Sequence, residues 1–172
     1  MILTGGKALV FLLVIIGVLL VAADQLIKLW AVSSLEPIGS ITVIENFFSL
    51  TYVENTGAAW GIFAGAKWYL VLMPIIIIVA VLAFLLIKKI KDPLLLWSCM
   101  LIISGGIGNL IDRIFRGFVV DYIHATFIDF PVFNLADCCI TIGAGLLILY
   151  VILSEIKEQK AKKLGGDQDA VE

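Results

Sequence analysis

The stretch "WYLVLMPIIIIVAVLAFLLI", Trp68 to Ile87, contains no charged residue. As a helix, a run of about 20 residues is about 30 Å long, the thickness of a bilayer's hydrocarbon core. Three further apolar runs flank it. Ala8 to Ala23 ("ALVFLLVIIGVLLVAA") continues amphipathically through "DQLIKLWAV", and two more lie at Leu94 to Ile111 and Cys138 to Leu153. The whole chain of 172 residues is 62% hydrophobic and 15% charged, where a soluble domain is roughly half apolar and about a quarter charged. The expectation is one integral membrane domain over residues 1–172, mainly α. Its transmembrane helices lie at about 8–30, 68–87, 94–111 and 137–153.

Lys7 and the first apolar run have the look of a secretion signal. No small-residue cleavage site follows, however; Asp24, Gln25 and Lys28 do, so the run reads as retained. Basic residues set the orientation. Lys7, the Lys88, Lys89 and Lys91 cluster, and Lys157, Lys160, Lys162 and Lys163 all fall on one side, which the positive-inside rule assigns to the cytoplasm together with both termini. Residues 33–67 and 112–136 then face outward, and the charged tail from about 160 reads as disordered. The near-neutral balance (net charge −2) offers nothing for nucleic acid.

In the first outward segment, Pro37 and Gly39 end the helix, and "ITVIENFFSLTYVEN" (41–55) is rich in β-branched and aromatic residues around a central "EN". It reads as a hairpin in a small extracytoplasmic β-sheet, accompanied by a periplasmic loop or short helix at the outer membrane face. Gly57, Gly61 and Gly65 recur every four residues, as close packing, turn geometry or a backbone held near a ligand would each require. At the end of the third run, Ser104 and Gly108 form a small-xxx-small pair that lets a neighbouring helix approach. Asp112 and Arg113 are adjacent there, so on a helix they point to separate partners. Cys99, Cys138 and Cys139 are odd in number, lack paired metal-site spacing and read as small apolar core residues.

Carboxylates in so apolar a chain need an explanation, because an unpaired buried charge is costly. Asp24 and Lys28 have the spacing of a helical ion pair, and Asp129 beside Pro131 reads as a turn residue. Asp121 ("FVVD") and Asp137 ("FNLAD") differ: each closes an apolar stretch, and Asp137 opens the last run, where a helix N-cap is the simplest role. Two chemistries suit such a pair. Close carboxylates can share a proton and activate water against an amide carbonyl, needing neither metal nor nucleophilic side chain. Alternatively, intramembrane acids can relay protons or bind a cation in a small transporter. Spacing alone does not choose between them.

The motif order does. "DQLIK" (24–28), "ENTGAAWG" (54–61), "GGIGNLIDR" (105–113), "VVDY" (119–122) and "FNLADCCI" (133–140) follow one another in this chain. The series resembles the bacterial lipoprotein signal peptidase family, also called signal peptidase II or prolipoprotein signal peptidase. That resemblance implies a multi-pass enzyme of the bacterial cytoplasmic (inner) membrane with its site near the outer face. It would cleave prolipoproteins just before a diacylglyceryl-modified cysteine. It implies a catalytic pair at Asp121 and Asp137, and supporting positions at Asp24, Lys28, Asn55, Gly108, Asn109, Arg113 and Asn134. It also implies membrane lipids as surroundings, inhibition by the cyclic peptide globomycin, no cofactor or metal, and function as a monomer, one chain holding every catalytic part.

Overall fold

The structure is a computed structural model and describes residues 5–57 and 67–169. In chain order it contains α1 (Gly5–Trp30), which runs on into a π-helical turn (Ala31–Leu35), β1 (Ser40–Ile44), β2 (Phe48–Asn55), α2 (Lys67–Lys88), α3 (Pro93–Phe115), β3 (Val119–Ala125) and α4 (Leu135–Asp169). Among the described residues four helices are long and apolar enough to cross a membrane. Their large side chains, among them Phe11, Leu19, Ile76, Val79 and Ile148, face outward. Exposure on that scale would drive aggregation in water, and in lipid it is simply solvation. The protein is a multi-pass membrane protein, mainly α. Pro74 inside α2 is tolerated as prolines in membrane helices commonly are.

α3 is the central helix, with α1, α2 and α4 all packed on it. Asp92 caps its start, accepting from the Leu94 and Leu95 amides at 2.9 and 3.2 Å, with Pro93 in the first turn. Missing side chains allow the close approach. A Cβ on Gly105 would strike the Ala136 carbonyl, and one on Gly143 would come within 2.9 Å of the Ser98 carbonyl, so α3 and α4 meet almost backbone to backbone. The Ser104–Gly108 stripe serves α1: Ser104 faces Gly17 and Gly108 faces Asp24.

The three-stranded sheet is antiparallel in the order β1-β2-β3 and caps the end of the bundle where α3 stops and α4 starts. The expected hairpin forms, with Asn46 in a left-handed conformation (φ 56°) at its turn. Phe47 at that turn stacks on Phe127 beyond β3, ring centroids 4.7 Å apart. β3 was not expected, although "VVDYIHA" is β-branched and aromatic enough to have announced it. Opposite Asp121 the register slips: Leu50 pairs with Ile123 but Val53 with Asp121, so β2 carries one extra residue. Bulges of this kind re-aim side chains. Ala31 and Leu35 of the π turn pack under the sheet with Val120 and Tyr122, which seats α1 directly against β3.

Several boundaries differ from those read in the sequence. The first helix extends through the π turn to Leu35 and α3 to Phe115, past the ends at about 30 and 111 read from hydropathy. The tail expected to be disordered from about 160 stays helical to Asp169. Its Glu, Gln, Lys and Ala are strong helix formers, and Gln159 donates to Glu155 one turn back at 3.2 Å. Between α3 and α4 the chain holds β3 followed by irregular chain at 126–134, with no short helix. Trp60, Gly61 and Gly65 lie outside the described residues.

Candidate active site

At the sheet end of the bundle, polar side chains are packed out of contact with solvent: Asp24, Lys28, Asp112, Asp121 and Asn134 are all essentially fully buried. Lys28 is the hub. Its ammonium has three N–H bonds, and it finds three acceptors: Asp24 Oδ2 at 2.9 Å, Asp112 Oδ2 at 3.0 Å and Asn109 Oδ1 at 2.9 Å. The predicted Asp24–Lys28 helical pair is therefore real but is one arm of a larger cluster, in which Arg116 at 3.3 Å supplies Asp112 with a second cation.

The start of α4 is fully satisfied. Leu135 N–H donates to the Tyr122 hydroxyl at 3.2 Å, Ala136 N–H to Asp24 Oδ1 at 3.0 Å and Asp137 N–H to Asn134 Oδ1 at 2.9 Å. The N-cap is thus Asn134 and not Asp137. Asp137 stands in the third helical position and accepts back from the Asn134 N–H at 3.2 Å, closing a capping box.

Asn134 also joins the two acids singled out in the sequence. Its Nδ2 donates to Asp121 Oδ1 at 2.6 Å while its backbone N–H serves Asp137. Each remaining carboxylate oxygen has an amide of its own: Asn55 Nδ2 donates to Asp121 Oδ2 at 3.0 Å and Asn109 Nδ2 to Asp137 Oδ1 at 2.7 Å. The amide orientations are enforced. Asn109 Oδ1 accepts from Lys28 and from Asn134 Nδ2 at 3.1 Å, so its NH2 must face Asp137. Asn55 Oδ1 accepts the Gly57 N–H at 2.9 Å, which turns its NH2 to Asp121.

Burial, and next the neighbouring Asp137, push the Asp121 carboxyl up to about 7, against the opposing hydrogen bonds from Asn55 and Asn134 and the charge of Lys28. Asp121 lines a cleft of about 370 Å³ together with Val53, Glu54, Asn55, Thr56, Gly57, Pro131 and Val132. Arg113 reaches Gly57 instead, its Nη2 donating to that carbonyl at 2.9 Å, so Asp112 and Arg113 do go to separate partners. Asp121 is buried and Asp137 partly buried, both are hydrogen-bonded to one asparagine, and carboxyl groups held in this way are chemically able to serve as acid and base.

Residues 16–153 match the family model described as Signal peptidase (SPase) II. The chain belongs to the signal peptidase II family. It is accordingly a peptidase. The lipoprotein signal peptidase of Clostridium acetobutylicum is 39% identical over 150 residues, covering 86% of this chain and 96% of that relative. The Streptococcus thermophilus protein of the same description is 44% identical over 130 residues, with 76% and 85% covered. Two solved structures, each described as a bacterial membrane enzyme determined by the in meso method, superpose with TM-scores of 0.78 and 0.72. Identities are 34% and 35%, and the matches cover 83% and 81% of this chain and 88% and 91% of those chains.

In this signal peptidase II family member, every position that the resemblance implied for the site lies in or beside one cluster. Asp24, Lys28, Asn109 and Asn134 are bonded into it, Gly108 faces Asp24 without room for a side chain, Asn55 lines the cleft, and Arg113 holds the carbonyl of Gly57 at its wall. Asp112, read from the sequence only as reaching a partner of its own, belongs to it as well, as do Tyr122 and Gln25, which were not singled out. Gln25 Nε2 donates to the Gly108 carbonyl at 3.0 Å and to Asp24 at 3.2 Å. For Asp112 a signal existed: an acid near a helix C-terminus opposes the helix dipole and calls for compensation. Among the described residues no group of three or more His, Cys, Asp or Glu could hold a metal ion.

Proposed function

We propose that this peptidase removes signal peptides from prolipoproteins, cutting just before the diacylglyceryl-modified cysteine, with Asp121 and Asp137 as an aspartic dyad and water as the nucleophile. The observation that carries this reading is the Asn134 bridge, one residue hydrogen-bonded to both carboxylates. Asp121, with its raised proton affinity, holds the shared proton and donates a hydrogen bond to the scissile carbonyl. Asp137, in the first turn of α4 where the helix dipole favours an anion, takes a proton from the attacking water. The tetrahedral adduct then collapses: the C–N bond breaks, the amine leaves with the proton that Asp137 took up, and the pair again holds a single proton. Low dielectric around the buried Asp121 and the partly buried Asp137 strengthens each of these contacts.

A substrate whose modified cysteine keeps its acyl chains in the bilayer presents its scissile bond at the membrane boundary. The acids lie at the sheet end of the helices, away from mid-membrane, which suits a peptidase of this kind and not a proton or cation transporter. The orientation that follows has both termini in the cytoplasm, the sheet on the outer face of the inner membrane, and Phe47 and the other aromatics of the sheet against the lipid surface. One chain carries both acids, so a monomer suffices. Asp121→Asn and Asp137→Asn are expected to abolish cleavage of a diacylglyceryl-modified prolipoprotein in micelles while the protein stays folded, and globomycin to block the parent enzyme. An active asparagine variant at either position would remove the dyad.

A further inference from the structure

We infer that Asp112 is a positioning residue for the reaction: held between Lys28 and Arg116, its carboxylate grips the backbone of β3 beside Asp121 and so fixes where that acid stands. This inference rests on the dyad reading of Asp121 and Asp137.

Asp112 is fully buried in the last turns of α3, where its charge opposes the helix dipole. Burying an ion pair is a poor route to stability, since apolar residues of similar volume often serve as well. Its geometry indicates what it does instead. Oδ2 accepts from Lys28 at 3.0 Å and from the Val120 N–H at 3.1 Å, while Oδ1 accepts from Arg116 at 3.3 Å. Val120 immediately precedes Asp121, and β3 is the edge strand of the sheet. On the edge away from β2, the backbone partners among the described residues lie beyond Asp121: Tyr122 and Ile123 donate to the Phe133 carbonyl at 3.1 and 2.7 Å. Before Asp121 the Val120 N–H has the Asp112 carboxylate. The acid is thus tethered on both sides, by chain on one and by a side chain of α3 on the other.

Lys28 links this tether to the second acid. The same ammonium that holds Asp112 holds Asp24, whose Oδ1 accepts the Ala136 N–H beside Asp137. The spacing of the dyad is therefore set by a pair of backbone grips, at Val120 and at Ala136, joined through one lysine. Misplacement by about 1 Å can cost a reaction roughly 100-fold. The charged groups acting on Asp121 are Asp137 from α4, Lys28 from α1 and Arg113 from α3, so a shift of β3 also alters how it titrates.

The test uses the full-length enzyme in micelles with a diacylglyceryl-modified prolipoprotein. Asp112→Ala leaves Lys28 paired with Asp24 but frees the Val120 N–H. It is expected to lower kcat by about 100-fold with KM nearly unchanged, and to move the alkaline limb of the pH profile downward as Asp121 gains solvent and loses its neighbour. Asp112→Asn can set a carbonyl oxygen in the place of Oδ2 and is expected to restore most of kcat and the parent pH profile. Should alanine prevent accumulation, Asp112→Leu fills the volume without an acceptor and should show the same kcat loss. The proposal is overturned by parent-like turnover in either apolar variant, by a loss confined to KM, or by Asp112→Asn being as slow as Asp112→Ala. It is equally overturned if both apolar variants fail to fold while Asp112→Asn matches the parent, because Asp112 then serves the fold alone. Asp121→Asn, measured alongside, separates the two levels: if it is active the dyad reading fails, and if it is dead while Asp112→Ala is parent-like, only the tether fails.

Discussion

Gly108→Ala perturbs the site through a single methyl group. A Cβ there would lie 2.7 Å from Asp24 Oδ2 and 3.1 Å from the Ala136 Cβ. Ordinary contact begins at 3.4 Å, so the Asp24 carboxylate must retreat by about 0.7 Å or α1 must separate from α3. That carboxylate accepts from Lys28 at 2.9 Å and from the Ala136 N–H at 3.0 Å. A retreat of that size takes at least one of these bonds past about 3.5 Å, where it ceases to be a hydrogen bond. Losing a hydrogen bond to a charged group costs about 1.5–3 kcal/mol and overpacking adds about 1–3 kcal/mol, offset by about 1 kcal/mol of helix propensity. The expected net destabilisation is about 1.5–5 kcal/mol, a fall in thermal midpoint of roughly 3–20 °C for a chain of this size. Cleavage should slow as well, because the Ala136 bond holds the turn that carries Asp137. Gly145→Ala is the matched control, since a Cβ there meets nothing within 4 Å, and it should be neutral or gain up to about 1 kcal/mol. The assay is thermal unfolding in detergent followed by initial rates on both variants. A Gly108→Ala protein as stable and as fast as Gly145→Ala would refute the packing account of the Asp24 grip.

Activity is expected to fall as pH rises through about 7, where Asp121 gives up the shared proton; a rate that continues to climb through that range would exclude Asp121 as the acid. The folded state holds this proton more tightly than the unfolded chain, so its contribution to stability declines as pH rises from 3.8 to about 7 and is level above. Denaturant midpoints in detergent across that range would check the sign. Asn134→Ala removes a helix cap worth about 1 kcal/mol and a residue hydrogen-bonded to both acids, so turnover should drop by about 100-fold, far beyond what the lost stability explains. Chelators and thiol reagents should leave the rate unchanged, and Cys138→Ser should cleave at the parent rate; inhibition by a chelator would require a metal that the proposed mechanism does not use.

Hydropathy made the membrane-spanning helices legible because lipid exposure is a property of each segment by itself: a run such as Trp68 to Ile87 is apolar all round, and no partner is needed to read it. The β1–β2 hairpin was legible for a similar reason, since its turn and its β-branched flanks lie within a few residues of one another. Asp121 and Asp137 could be picked out as unusual, and motif order pointed to their use. The family resemblance named the asparagines that bond them, Asn55, Asn109 and Asn134, but the rest of the network could not be read. Asn109 Oδ1 faces Lys28 across α1 and α3, the Val120 N–H finds Asp112 across a turn, and Asn134, not Asp137, caps α4. Burial of polar groups forces every donor to find an acceptor, but which acceptor depends on where glycines such as Gly105 and Gly108 let the helices approach. Local sequence determined which segments enter the membrane and which residues are chemically out of place there, and tertiary packing alone decided which of those residues meet, because hydrogen bonds between distant segments are set by helix spacing and not by order along the chain.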